Sequence, residues 1–251
     1  MKTENGWKAI IAAMLLSCLP NGAIQAQLPD LEIVLHSRTA TGTPTAHGTA
    51  WTGGGNIQVS QPAPNIVLFT MSGVAVAGGH LVKNSVADFR FNLQQDFDVI
   101  IRDPKLKQAK LLIAGRVVGL LRSQCLGHKA CCQHGGIAEI SMPGHAAICL
   151  GDTEIVSLAL PAHSATGGEN YSVNDHEGPV AIPVQPGRYT LHQTFGITAS
   201  HARSPIPCKK VSAEFAPAPA LDPSWIKKRE PFHGAEKSNF GFQILLKLVP
   251  N

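Results

Sequence analysis

From Val86 to Leu93 the chain alternates strictly, with Ala87, Phe89, Phe91 and Leu93 on one side and Asp88, Arg90 and Asn92 on the other. The same period recurs after Gly187, where Tyr189, Leu191, Phe195 and Ile197 oppose Thr190, His192, Thr194 and Thr198. It returns once more where Phe240, Phe242, Ile244, Leu246 and Leu248 alternate with Gly241, Gln243 and Lys247. A period of two sends successive side chains to opposite faces of a strand, so these segments predict antiparallel sheets with one dry and one wet face. Residues 111–121 (LLIAGRVVGLL) are almost continuously apolar. They fit a central strand, in which Gly115 and Gly119 admit a bend or bulge.

Further strands are expected at 31–36, 57–60, 65–70, 97–101, 153–160, 180–184 and 211–215. Turn chemistry separates them at Asp103-Pro104, Gly167-Gly168, Pro186-Gly187 and the run from Asn174 to Gly178. Many short strands at this spacing predict an all-β chain, an antiparallel β-sandwich or jelly-roll-like domain with long loops and little helix. Helix is expected only at 72–82 and 223–228. Residues 37–55 read as a loop, and 27–64 as a loosely ordered N-terminal segment. Residues 216–232 hold Pro217, Pro219, Pro223 and Pro231 beside Lys227-Lys228-Arg229. They read as a Pro-rich surface crossover that returns the last strand to the main sheet, because one strand cannot form a domain by itself. The octet from Val184 to Leu191, with Pro186-Gly187-Arg188-Tyr189 at its centre, resembles the Pro-Gly-x-Tyr turn-into-strand of many exported prealbumin-like and immunoglobulin-like sandwich modules. That resemblance implies fold class and carries no function.

The first 26 residues change the chemical setting of everything after them. Lys2 and Lys8 precede an apolar run, 9–20, which is followed by small and polar residues up to Gln25 and Ala26. This is the layout of a secretory signal, and the run falls short of the roughly 20 residues a membrane-spanning helix needs. Cleavage after Ala26 would leave one domain over 27–251, periplasmic or secreted. Alternatively, Leu15-Leu16-Ser17-Cys18 fits a bacterial lipobox, which would lipidate Cys18 and tether an envelope lipoprotein. No transmembrane span is expected.

Composition narrows the class further. Charged residues make up 15% and hydrophobic ones 44% of the 251-residue chain, so it carries enough apolar surface for a packed core. A formal charge of +4 is too mild to indicate nucleic acid.

An exported chain has its cysteines oxidised. It holds six, and losing or lipidating Cys18 leaves Cys125, Cys131, Cys132, Cys149 and Cys208, an odd number. Two disulfides are then the most these can form inside one chain, and the remaining thiol is available for an intermolecular disulfide. A local bridge from Cys125 to Cys131 or Cys132 is expected, the other of that pair joining Cys149 or Cys208. The alternative is a zinc or copper centre built from Cys125, His128, Cys131, His134, His145 and Cys149, whose thiolate and imidazole donors suit those ions. No paired Cys-x-x-Cys supports it, and no cofactor is predicted on the leading reading.

Eight further histidines, His36, His47, His80, His163, His176, His192, His201 and His233, share no metal-type spacing and read as surface residues. The oxygen-rich run at 174–178 reads as a turn rather than a calcium loop. Asn170-Tyr171-Ser172 is formally a glycosylation sequon. No Gly-x-Ser-x-Gly elbow, P-loop or dinucleotide fingerprint is present. Asp96 and Asp98 share a strand face, yet a paired-carboxylate site draws on separate elements, so they read as a solvated edge. Trp51, beside Gly53-Gly54-Gly55, is the single loop aromatic suited to a sugar platform, and Trp225 reads as a packing anchor. Catalytic residues are not identified. The expectation is an exported, non-catalytic protein with a structural or binding role, and the alternative is a metal-binding protein or metalloenzyme using the 125–149 loop.

Overall fold

The computed structural model describes residues 30–48, 50–77, 84–123, 136–166, 169–201, 211–215 and 241–251, apart from the side chains of 51–56, 122, 123, 170 and 211–215. Within them the chain forms strands and no helix. In order these are β1 (Leu31–His47), β2 (Ala50–Ala63), β3 (Ile66–Ala77), β4 (Ser85–Ile101), β5 (Ala109–Ser123) and β6 (Ile137–Leu150), followed by β7 (Thr153–Ala159), β8 (Ser164–Ala165), β9 (Asn170–Val184), β10 (Gly187–His201), β11 (Val211–Phe215) and β12 (Phe242–Pro250).

Two antiparallel sheets pack face to face. The first runs β1-β4-β10-β6-β7, with β8 also on β6; in the second, β3 and β5 flank β11 and β12, while β2 lies outside β3 and β9 outside β5. The chain is therefore a β-sandwich. Its core follows from the alternation. Phe89, Phe91, Leu93, Phe97 and Val99 of β4 and Leu191, Phe195 and Ile197 of β10 meet Phe69 and Met71 of β3, Leu111 and Ile113 of β5, and Ile244, Leu246 and Leu248 of β12, all buried. The Phe195 and Phe242 rings meet across the two sheets at 5.5 Å between centroids.

Each turn is written locally. After β4, the Asp103 side chain accepts from Lys105 N at 2.8 Å and its carbonyl from Leu106 N at 3.0 Å. Before β10, the Tyr189 hydroxyl donates to the Gln185 carbonyl at 3.0 Å and accepts from Gln185 N at 3.1 Å, which fixes the Pro186-Gly187 turn.

The structure corrects four expectations. Residues 37–55 are not a loop but the greater part of β1 and the start of β2, joined at Gly48 (φ 74°). Thr39, Thr41, Thr43 and Thr45 alternate there with Ala40, Gly42, Pro44 and Ala46. The period of two was present, but the residues opposite the buried Leu93, Phe91, Phe89 and Ala87 are small rather than large and apolar, and all of 36–47 are exposed. Residues 72–77 continue β3 instead of opening a helix. Val74 and Val76 are β-branched and suit a strand. A Cβ at Gly73 would lie 2.9 Å from Phe89 and 3.0 Å from Phe91, so the glycine admits both rings. Positions 78–82 and 223–228 lie outside the described residues. The run at 174–178 is not a hairpin turn. It stays inside β9, where a register shift opposite Ile113 and Gly115 and a positive φ of 86° at Gly178 absorb the irregularity. Finally, the separate strands at 86–93 and 97–101 are one strand, β4.

The second sheet has a broken central lane. β11 pairs with β3 up to Phe215 opposite Gly73, and β12 resumes with Phe242 opposite Met71. Both run antiparallel to β3 and to β5. They occupy the lane as one strand would, broken opposite Ser72, and residues 216–240 between them lie outside the described residues. Just before β12 a Cβ on Gly241 would fall 1.9 Å from the Met71 carbonyl oxygen, so only glycine fits that backbone approach.

Candidate functional site

The outer face of the first sheet gathers the most interconnected polar side chains among the described residues. Its starting point is an irregularity in β1. Leu35 lies opposite Phe97 but Arg38 lies opposite Gln95, so His36 and Ser37 together face Asp96. This two-against-one arrangement is a β-bulge, which re-aims side chains. Gln95 points inward, is buried, and turns its Nε2 back to the carbonyls of Asp96 (2.8 Å), Ser37 (3.2 Å) and His36 (3.3 Å). It therefore stitches the bulge from beneath.

Above that stitch the two carboxylates are fully engaged. Asp96 accepts from the Ser37 hydroxyl at 2.5 Å and the Thr190 hydroxyl at 2.9 Å. Asp98 accepts from His36 Nε2 at 2.6 Å and Arg188 Nε at 3.1 Å. The hydroxyls of Ser37 and then Thr190 hold the Asp96 carboxyl below its ordinary pKa, against a small opposing effect of burial. Arg188 does the same for Asp98, with His36 adding to it. In return, Asp98 raises the Arg188 guanidinium.

Further along β4, Asp88 accepts from Thr198 at 2.6 Å, Arg90 at 2.7 Å and Ser141 at 3.4 Å. Between the two groups lie two rows of polar side chains. Thr41, Asn92 and Thr194 are register partners across β1, β4 and β10, as are Thr39, Gln94 and His192.

The chemistry follows from these directions. Residues two apart on a strand are separated by about 6.8 Å, close to the spacing of paired carboxylates in inverting glycoside hydrolysis. Such a pair needs one carboxyl kept protonated near neutral pH. Both carboxyls here shift the opposite way, and each is bound by groups from neighbouring strands. Asp96 and Asp98 are therefore a hydrogen-bonded pair with neither carboxyl raised. Sequence placed Asp96 and Asp98 on one face as a solvated edge; the structure instead ties them into β1 and β10.

A second cluster closes the opposite side of the sandwich. His163, just before β8, lies 2.5 Å through Nε2 from Asp175 of β9 and stacks on Tyr171 at 4.8 Å between centroids. Its carbonyl accepts from Ile140 N at 2.8 Å, so it joins a segment paired to the first sheet to the edge of the second. On the outer face of β9, the Asn174 side chain accepts from Arg116 Nη2 at 3.0 Å. No spacing in the sequence announces either contact. The histidines otherwise divide as their positions dictate. His36, His47, His176 and His192 are exposed, while His201 points inward on β10 and is buried, contrary to the expectation of a surface residue. His80 and His233 lie outside the described residues.

Of the candidate metal and disulfide residues, Cys18, Cys125, His128, Cys131, Cys132, His134 and Cys208 lie outside the described residues. His145 and Cys149 both stand on β6, opposite Thr194 and Thr190. Four positions along a strand span roughly 13 Å, so one ion held at about 2.0–2.3 Å from each ligand cannot take both. Cys149 carries a free thiol, half-buried. Burial, then Glu154 and Asp152, push that thiol above its ordinary pKa, away from the reactive thiolate. No group of three or more His, Cys, Asp or Glu suited to a metal ion occurs among the described residues. Trp51 belongs to β2 rather than to a loop. No helix among the described residues is long and apolar enough to cross a membrane.

No protein-family model matches the chain, no curated protein is significantly similar to it, and no solved structure matches it.

Proposed function

We propose that this is an exported, non-catalytic protein that binds or scaffolds through the outer face of the first sheet, in the periplasm, the cell envelope or the medium. One observation carries the reading. The carboxylates of that face are held in place, Asp98 by His36 and Arg188, Asp96 by the Ser37 and Thr190 hydroxyls and Asp88 by Arg90 and Thr198, and between these fixed ends lie the polar rows Thr39, Gln94, His192 and Thr41, Asn92, Thr194. A surface of this kind offers hydrogen bonds without reorganisation cost. The N-terminal segment supports export, by cleavage after Ala26 or by lipidation at Cys18.

The cysteines belong to the same proposal. Cys149 is the odd thiol, and Cys125, Cys131, Cys132 and Cys208 form two disulfides. Co-sedimentation of the purified protein with isolated cell-envelope material tests the binding role. Asn92→Lys with Thr194→Lys should weaken it at least tenfold at unchanged stability. An undiminished interaction would overturn the assignment to this face. Thiol titration under denaturing, non-reducing conditions should find one thiol per processed chain. Five thiols with stoichiometric zinc or copper would instead favour the metal-binding alternative.

A further inference from the structure

The broken lane of the second sheet has a consequence for assembly. β12 is held by its flanking strands rather than by continuity with β11. It pairs with β5 from Phe242–Val117 to Pro250–Ala109 and with β3 from Phe242–Met71 to Lys247–Ile66. Its inward side chains Phe242, Ile244, Leu246 and Leu248 are all buried. The strand thus carries its own complete recognition pattern, apolar on the core side and hydrogen-bonded along both edges. It is joined to β11 through residues 216–241, which at about 3.3 Å per residue reach on the order of 80 Å. A domain of this length has a radius of gyration of only about 18 Å. A second copy's slot is therefore within reach.

We infer that the slot between β3 and β5 accepts β12 from a second copy of this chain, giving a strand-exchanged dimer. Every pairing of β12 with β3 and β5 is the same in the closed and exchanged forms, so the two differ mainly in chain entropy. A tethered strand competes at an effective concentration on the order of millimolar, so the closed monomer dominates dilute solution. Exchange is favoured where chains are crowded while the slot is open. Phe242 meets Phe195 of the first sheet at 5.5 Å, so the exchanged strand would contribute to the partner's core as well as to its sheet.

The test uses the natively purified full-length chain, half of it labelled with carbon-13. The mixture is held at concentrations up to about 1 mM in urea just below the unfolding midpoint, then returned to buffer and separated by size. Species linked by cysteines are removed beforehand on the basis of a non-reducing gel. The expected result is a dimer whose share rises with incubation concentration. It should show isotope-filtered contacts between Leu246 of one copy and Ile113 of the other, and the monomer should show none. Absence of a dimer at every concentration, or a dimer lacking those contacts, overturns the inference.

Discussion

The two central lanes of the sandwich do the same job by different means. In the first sheet, β10 runs unbroken from Gly187 to His201 between β4 and β6. In the second, β11 and β12 share one lane between β3 and β5, and the lane is broken between Phe215, opposite Gly73, and Phe242, opposite Met71. Yet Leu191, Phe195 and Ile197 on one side and Ile244, Leu246 and Leu248 on the other are equally inaccessible to solvent. Chain continuity is thus not what makes a strand central. Alternating apolar side chains and two paired edges suffice. The lanes also differ in purity. β12 turns only apolar residues inward, whereas β10 turns Gln193 into the core, and its Oε1 has no hydrogen-bond partner.

The largest effect tests whether the two lanes are equivalent. Leu246→Ala in β12 should cost about 2–5 kcal/mol, and Leu191→Ala in β10 a comparable amount, because each removes a fully buried leucine and leaves a cavity. Urea midpoints at constant m-value provide the measurement. A cost below about 1 kcal/mol for Leu246→Ala alone would mean that the broken lane is loosely held and the equivalence fails.

How far each lane could be read from sequence follows the same division. The pattern of β10 and of β12 was legible because large apolar residues occupy most inward positions, Tyr189, Leu191, Phe195 and Ile197 in the one and Phe242 to Leu248 in the other, and the turn at Pro186-Gly187 announced where β10 begins. β4 was legible in two pieces, because Gln95 interrupts the apolar alternation on its inner face. That residue is spent on the bulge carbonyls of His36, Ser37 and Asp96, and sequence gives no sign of such a use. β1 was missed where the residues opposite the core positions of β4 are Ala, Gly and Pro, exposed and small, since small residues carry little periodic contrast. The shared lane could not be foreseen, because pairing between strands separated by a long excursion is set in three dimensions. The same holds for the site. Asp96 and Asp98 were visibly on one face, but their partners come from residues 36–37 and 188–190. The one-residue shift that aims His36 and Ser37 exists only in the pairing of β1 with β4.

A smaller effect probes the impurity in β10. Gln193 lies opposite Leu93 and Ala146 with its carbonyl oxygen buried. An unsatisfied buried polar atom costs about 1–3 kcal/mol, and methionine fills a similar volume with a flexible apolar chain. Gln193→Met should therefore raise stability by about 1 kcal/mol, seen as a higher melting temperature. A loss of stability would show that the glutamine is needed where it sits, and that the two lanes differ in design and not merely in purity.

The smallest effect lies on the polar face above β10. Asp96 is held below its ordinary pKa by Ser37 and Thr190, and Asp98 by Arg188 and His36. A carboxyl whose folded pKa lies below the unfolded value of about 3.9 adds stability above that value. It loses that contribution as pH falls through the lower, folded pKa. Asp96→Asn keeps one acceptor oxygen but removes the titration. The wild-type protein should exceed the variant by less than about 1 kcal/mol at neutral pH, as expected for a partly exposed network in water. That gap should close as the pH drops below about 4. Paired urea titrations at neutral and acidic pH read the difference directly. A gap of equal size at both would assign the role of Asp96 to shape rather than charge, leaving Asp98 and Arg188 as the electrostatic anchor of that end of the face.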